Sequence, residues 1–111
     1  MEALLVLTNL PDGETAHALA AHLVSARLAA CVNILAPCRS VYRWNGAIEE
    51  ATEVPMLIKT NSVCYAALEA VIREKHPYEL PEIVAVPIER GLPAYLAWLD
   101  AETTPIQGQQ C

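Results

Sequence analysis

The dipeptide Asn45-Gly46 separates two stretches, residues 31–44 and 47–60, that are both rich in β-branched and aromatic side chains. A type I′ turn needs positive φ at both central positions, and Asn-Gly supplies it, so the pair predicts a β-hairpin. The flanks alternate as strands do: Ser40, Tyr42 and Trp44 fall on one face, Val41 and Arg43 on the other, and beyond the turn Ile48, Glu50 and Thr52 oppose Glu49, Ala51 and Glu53. Continuous arms would each run for about 14 residues, or roughly 45 Å, against about 5–6 residues for an ordinary strand. A chain of 111 residues makes a single domain, so a ribbon of that length must project past its own core. It would expose Tyr42, Trp44 and Ile48 together with unpaired ladder edges, surfaces that oligomers cover. A subunit interface is therefore expected. Pro37 and Pro55 each lack a ladder donor and should mark a bulge or an edge, with Pro37 dividing the first arm into inner and outer halves.

Around the hairpin the elements follow from periodicity and punctuation. Residues 3–8 (ALLVLT) read as a buried strand ended by Pro11-Asp12-Gly13. Asp12 is a good N-cap for a helix over 14–28, whose Ala16, Leu19, Ala20, Leu23 and Leu28 recur on one side. Thr60-Asn61-Ser62 offers caps for a second helix over 63–75, with Val63, Ala66, Ala67, Ala70 and Val71 as its apolar face and Pro77 as its stop. After the connector His76-Pro77-Tyr78-Glu79-Leu80-Pro81, residues 82–88 form another buried strand, with Pro87 placing its end near an edge. Pro93 opens a short helix over 94–101. Residues 1–102 are thus one α+β domain, and the non-periodic residues 103–111 read as a disordered tail. Two βα-type halves joined by a hairpin describe a ferredoxin-like split βαβ sandwich with a long β-hairpin and a short C-terminal helix.

Composition narrows the function classes. The chain is 54% hydrophobic, but no apolar run approaches the roughly 20 residues of a membrane span, and Met-Glu-Ala-Leu lacks the basic start of a signal peptide, so a cytoplasmic protein with no membrane partner is expected. Thirteen acidic against seven basic residues give a formal charge of −6, which disfavours nucleic acid. The cysteines at 31, 38, 64 and 111 show no Cys-x-x-Cys pair and no zinc spacing; Cys31 and Cys64 read first as small buried hydrophobes. No nucleophile elbow, phosphate loop or metalloprotease motif is present. His17 and His22, five residues apart, lie about 140° around a helix and cannot chelate one ion. His76 stands at a helix end among Pro77, Tyr78 and Glu79, where it reads either as a functional group or as a cation on the helix dipole. Lys59, in apolar surroundings, should be paired, with Glu53, Glu79 or Glu82 as candidates. Glu49 and Glu53 share a strand face while Glu50 points away, which reads as a solvated strand rather than a hard-cation cluster.

Several of these segments, taken in order, resemble the CutA divalent-cation tolerance proteins: Tyr42-Arg43-Trp44-Asn45-Gly46, Glu53, Leu57-Ile58-Lys59-Thr60, His76-Pro77-Tyr78-Glu79-Leu80-Pro81-Glu82-Ile83, and Tyr95-Leu96-Ala97-Trp98-Leu99, with Arg27-Leu28-Ala29-Ala30-Cys31 ahead of the second strand. The resemblance runs from about residue 4 to 101. It implies a non-enzymatic ferredoxin-like subunit in a homotrimer, similar in shape to the PII signalling proteins, that binds Cu(II) or another divalent cation. It also implies an intersubunit ligand cleft lined here by Trp44, Lys59, Tyr78 and Glu82. Of the positions to which copper binding in the family is attributed, Thr8 and Lys75 are not ligand types here and His76 alone carries over; Cys31 matches a recurrent family cysteine suited to soft ions. The metal residues expected are therefore His76 and Cys31. The alternative is a signalling trimer that takes a small anionic ligand through Lys59.

Overall fold

A computed structural model describes residues 2–103. Eight elements follow one another: β1 (Ala3–Leu10), α1 (Gly13–Ser25), β2 (Cys31–Ile34), β3 (Cys38–Trp44), β4 (Ala47–Asn61), α2 (Tyr65–Lys75), β5 (Ile83–Pro87) and α3 (Pro93–Glu102). The main sheet has the order β2-β4-β1-β5, with every neighbouring pair antiparallel. That is the expected ferredoxin-like arrangement, with β2 and β5 at the edges and Pro87 as the last residue of β5.

The 15 residues of β4 form the long arm. Its inner part pairs with β1 as far as Leu10↔Val54, and its outer part pairs only with β3, from Cys38↔Glu53 to Trp44↔Ala47. The outer ribbon is therefore two strands wide and leaves the body of the subunit, exposing Val41, Tyr42, Trp44 and Ile48. Asn45 and Gly46 both take positive φ, 49° and 80°, as the tight turn requires. Between Ile34↔Met56 and Cys38↔Glu53 the first arm spends three residues where β4 spends two, so Leu35-Ala36-Pro37 form a one-residue bulge. Pro55 belongs to continuous β4, but its carbonyl accepts from Leu35 N at 2.9 Å. Since a strand residue's N and C=O point the same way, its missing donor faces this break.

One face of the sheet is covered by helices. Leu4, Val6, Thr8 and Leu10 of β1 and Val54, Met56, Ile58 and Thr60 of β4 are buried on it. Against them α1 buries Ala16, Leu19, Ala20 and Leu23, and its small residues let it lie close. Asp12 Oδ1 accepts from Thr15 N at 2.7 Å, a hydrogen bond that also holds the Asp12 carboxyl below its usual value. The helix stops three residues earlier than its pattern suggested, because Arg27 adopts φ 61°. Leu28 N then bonds to Leu23 O and Arg27 N to Val24 O, the two bonds of a Schellman motif. Arg rather than Gly holds this left-handed position, and its guanidinium donates to Ala101 O at 2.7 Å, capping the end of α3.

The face of α2 differs from expectation. Leu68 and Ile72 are its fully buried residues, while Val63, Ala66 and Ala70 are exposed. Asn61 Oδ1 accepts from both Val63 N and Cys64 N at 2.9 Å, so the helix begins at Tyr65, and the bulkier aliphatics four residues apart turn inward. Thr103, assigned from sequence to the tail, is fully buried and receives the Asn61 Nδ2 donor at 2.6 Å. The rest of that tail, with Cys111, lies outside the described residues.

Thr8 introduces a conflict into the helix-covered face. It is 1% exposed and its Oγ1 has no hydrogen-bond partner among the described residues. Replacing a buried, unpaired hydroxyl by a methyl of the same shape removes a desolvation cost, so Thr8→Val is expected to raise stability by about 1 kcal/mol. A higher urea midpoint at unchanged m-value would register it; a lower midpoint would mean that the hydroxyl has a partner in solution.

Candidate functional site

The opposite face of the sheet is met by a helix only at one end, where α3 packs beside Lys59 and Asn61. Leu5, Leu7, Leu57 and Lys59 are half-buried there, and Val84 and Val86 are exposed. Where the ribbon leaves this face, the connector after α2 folds across and encloses an open groove of about 1000 Å³. The groove is bounded by Tyr42 and Trp44 from β3, Glu53 from β4, and Tyr78 and Glu82 from the connector.

His76 anchors the connector. Its Nδ1 accepts from Tyr78 N at 3.1 Å, which leaves the proton of the neutral ring on Nε2, and Nε2 lies 2.6 Å from Asn9 O as donor. The ring is 7% exposed and packs against the Tyr78 ring at 4.7 Å between centroids. Thus both imidazole nitrogens are engaged in holding Tyr78 at the end of β1. At the far side of the connector Asn9 Nδ2 donates to Glu82 Oε1 at 3.1 Å, so the two ends of the segment hang on one residue.

Tyr78 in turn meets Glu53. Burial first, then a hydrogen bond to the Glu53 carboxylate and its charge, push the Tyr78 phenol up to about 12 from an ordinary 10. The raised value favours the neutral phenol in the folded protein. Its contribution to stability is whole below pH 10 and is lost as pH rises through about 12. In an ultraviolet phenolate titration, one of the four tyrosines should ionise near 12 and disappear in Tyr78→Phe. Glu53→Gln should shift that step down toward 10 without reaching it, because burial is the larger cause; an unmoved step would separate the two side chains.

Of the cleft residues expected from sequence, the groove brings together Trp44, Tyr78 and Glu82. Lys59 is not among its lining residues. It lies on the same strand and face as Glu53 but six residues along, about 20 Å at ~3.3 Å per residue. Nor does it pair with Glu53, Glu79 or Glu82: Nζ donates to Asn33 Oδ1 at 3.0 Å and stands 5.9 Å from the Tyr95 ring centroid. Cys31, half-buried and free, is the direct cross-strand partner of Lys59. His76 touches the sheet at Asn9, whose partner on β4 is Pro55, four residues from Lys59. Cys31 and His76 are therefore about 13 Å apart along β4, too far to share one ion. Among the described residues, no three of His, Cys, Asp and Glu are grouped to hold a metal. Glu50 pairs with Arg39 on the outer ribbon face, and His17 and His22 are exposed.

Glu53 is the site residue that strand periodicity left as solvated. It is 8% exposed, covered by a connector 25 residues away in sequence. Its place on the face of Tyr42 and Trp44 was visible in the alternation, but its burial depends on Tyr78.

Comparison with known proteins places this geometry. The family model described as CutA1 divalent ion tolerance protein matches residues 4–102. The divalent-cation tolerance protein CutA of Thermus thermophilus is 44% identical over 98 residues, 88% of this chain and 95% of that protein. A solved structure of a Thermus thermophilus divalent cation tolerance protein superposes with a TM-score of 0.90 at 42% identity, covering 92% of this chain and 99% of that one. Protein CutA of Mus musculus is 44% identical over 96 residues, 86% of this chain; the chain spans about half (54%) of the length of that relative. The sequence and the fold agree, and the chain belongs to the CutA1 divalent ion tolerance protein family.

Proposed function

We propose that this chain works as a cytoplasmic, non-enzymatic homotrimer in tolerance of divalent cations, binding Cu(II) or another divalent cation through side chains that assembly brings together. The observation that carries the reading is the uncovered apolar surface. Leu5, Leu7, Leu57, Val84 and Val86 line the part of this sheet face that α3 leaves uncovered, and the ribbon continues from it with Tyr42 and Trp44, while Ile48 is exposed on the ribbon's other face. A single domain gains by covering a surface of this kind, and copies related by symmetry can do so reciprocally. His76 and Cys31 are the donors proposed for the metal. Each stands alone within one chain, so a site of recognisable copper geometry needs further ligands from another copy. His76 would have to exchange its bond to Asn9 O for the ion.

Sedimentation velocity at micromolar concentration should give one species of three times the 12.1 kDa chain mass. A monomer would overturn the reading. Calorimetric titration with Cu(II) should show binding weakened in Cys31→Ser and in His76→Gln, and unchanged binding in both variants would remove these residues from it.

A second reading has its own support. Among the described residues Lys59 has no carboxylate within ion-pair distance, so its charge is available to a small anionic ligand in a cleft completed by assembly, as in a PII-like signalling trimer. A metabolite-dependent thermal shift lost in Lys59→Ala would favour it.

A further inference from the structure

The cysteines divide into two classes. Cys31 and Cys38 are free, whereas Cys64 is held in a disulfide. Since the chain has cysteines only at 31, 38, 64 and 111, elimination leaves Cys111 as its partner. We propose that Cys64 and Cys111 form a redox-responsive staple, which fastens residues 104–111 across the junction of α2 and α3 when oxidised and releases them when reduced.

The fold prepares one end of this bond. Cys64 is 0% exposed at the start of α2, and its Sγ lies 3.1 Å from Thr103 O, just past the last turn of α3. Asn61 fixes the junction: its Oδ1 accepts from Cys64 N, and its Nδ2 donates to Thr103 Oγ1. The stretch that carries Cys111 therefore starts beside Cys64. Its eight residues can extend for about 26–29 Å, which is ample slack to turn back. A thiol on so short a tether reaches an effective concentration of order millimolar at its target, and that favours the internal bond over a mixed disulfide with a free thiol. The exchange balances. The Cys111 thiolate attacks glutathione disulfide and releases one glutathione thiolate; the Cys64 thiolate then attacks the Cys111 sulfur of the mixed disulfide and releases the second. Two protein thiols are oxidised and one glutathione disulfide is reduced. In the unfolded chain the same bond closes the whole stretch 64–111, which removes chain entropy from that state and stabilises the fold. In the reducing cytoplasm proposed above, disulfides are of the transient, sensing kind. Reading Cys64 as a small buried hydrophobe captures its burial but misses this bond, because nothing in its spacing to residue 111 signals a pair. The staple uses neither of the proposed metal donors, Cys31 and His76, and stands independently of the divalent-cation reading.

The test uses the full chain, equilibrated in an excess of glutathione disulfide or of reduced glutathione. A chromogenic thiol reagent in denaturant should count two thiols in the first and four in the second. Tryptic cleavage of the oxidised chain after Lys59, Arg73 and Arg90 should give peptides 60–73 and 91–111 joined by a disulfide. Oxidation should raise the urea midpoint by about 1 M. Cys111→Ser, which alters only the terminal residue, should abolish that difference, and Cys38→Ser should keep it. Four outcomes would overturn the pairing: four thiols after oxidation, Cys64 joined to Cys31 or Cys38, glutathione retained on Cys111, or two chains linked through Cys111. A joined pair that leaves the midpoint unmoved, or that reduced glutathione cannot reopen, would overturn the staple as a redox-responsive device.

Discussion

His76→Ala is expected to lose about 3 kcal/mol of stability and to release the connector that closes the groove. The imidazole is 7% exposed and satisfies two backbone groups of different elements, Asn9 O at the end of β1 and Tyr78 N in the connector. Alanine leaves both without their partner, at about 1 kcal/mol or more each. It also removes the ring against which Tyr78 packs, adding a cavity cost of similar size. The effect should be visible twice. The urea midpoint falls, and the Tyr78 phenolate step moves from about 12 toward 10, because a freed connector withdraws Tyr78 from its buried place beside Glu53. His76→Gln, whose amide reaches in the same direction with one donor and one acceptor, should recover part of both signals. A loss below about 1 kcal/mol with an unmoved phenolate step would show that the connector is held by Glu82 and Asn9 rather than by His76.

The elements were legible in the sequence because their signals are local. Asn45-Gly46 names its turn, Pro37 interrupts the first arm, Asp12 caps α1, and Pro93 opens α3. Where a boundary was missed, the deciding residue acted through the backbone: Arg27 in a left-handed conformation ended α1, and Asn61 captured the first amides ahead of α2. The site was legible in part. Trp44, Tyr78 and Glu82 meet in one groove, but alternation along a strand cannot say how far along it a contact falls. Lys59 shares the face of Glu53 and still finds Asn33 and Tyr95 instead, because the β2 register sets Cys31 opposite it and places β2 over that end of β4. Glu53 was misread as solvated for the complementary reason: its cover comes from a segment that no local pattern on β4 records. His76 shows the same limit in its chemistry. A histidine after a helix and before a proline reads as a functional group or as a cation on the helix dipole, and the positions of Asn9 O and Tyr78 N make it instead a buried bracket in the isolated chain.

Val86→Lys should dissociate the proposed trimer while leaving the subunit folded. Val86 stands on edge strand β5 opposite Leu5, on the sheet face that α1 and α2 do not cover, and is 47% exposed within one chain. In a monomer, a lysine there keeps its ammonium in water and lays its stem along Leu5, so the cost to folding is small. In an assembly that covers this face, each copy would bring a charge into an apolar contact without a partner, at about 3 kcal/mol or more for each unpaired buried charge. Since about 1.4 kcal/mol is a factor of ten, association should weaken by roughly a hundredfold or more per contact. The symmetry of a trimer repeats the defect at every interface. Sedimentation velocity should then show the 12.1 kDa chain alone at micromolar concentration, with an unchanged far-ultraviolet circular dichroism spectrum. The paired control is Glu89→Lys, an exposed change of the same sign beyond the end of β5. If both variants remain trimeric, this sheet face is not the interface and the ribbon must supply the contact alone. If both dissociate, a change of charge at this end of the subunit rather than burial of Val86 is responsible. Dissociation by Val86→Lys alone ties the assembly to the apolar face, and with it the reason that a domain with so few aromatics places Tyr42 and Trp44 out on a two-stranded ribbon.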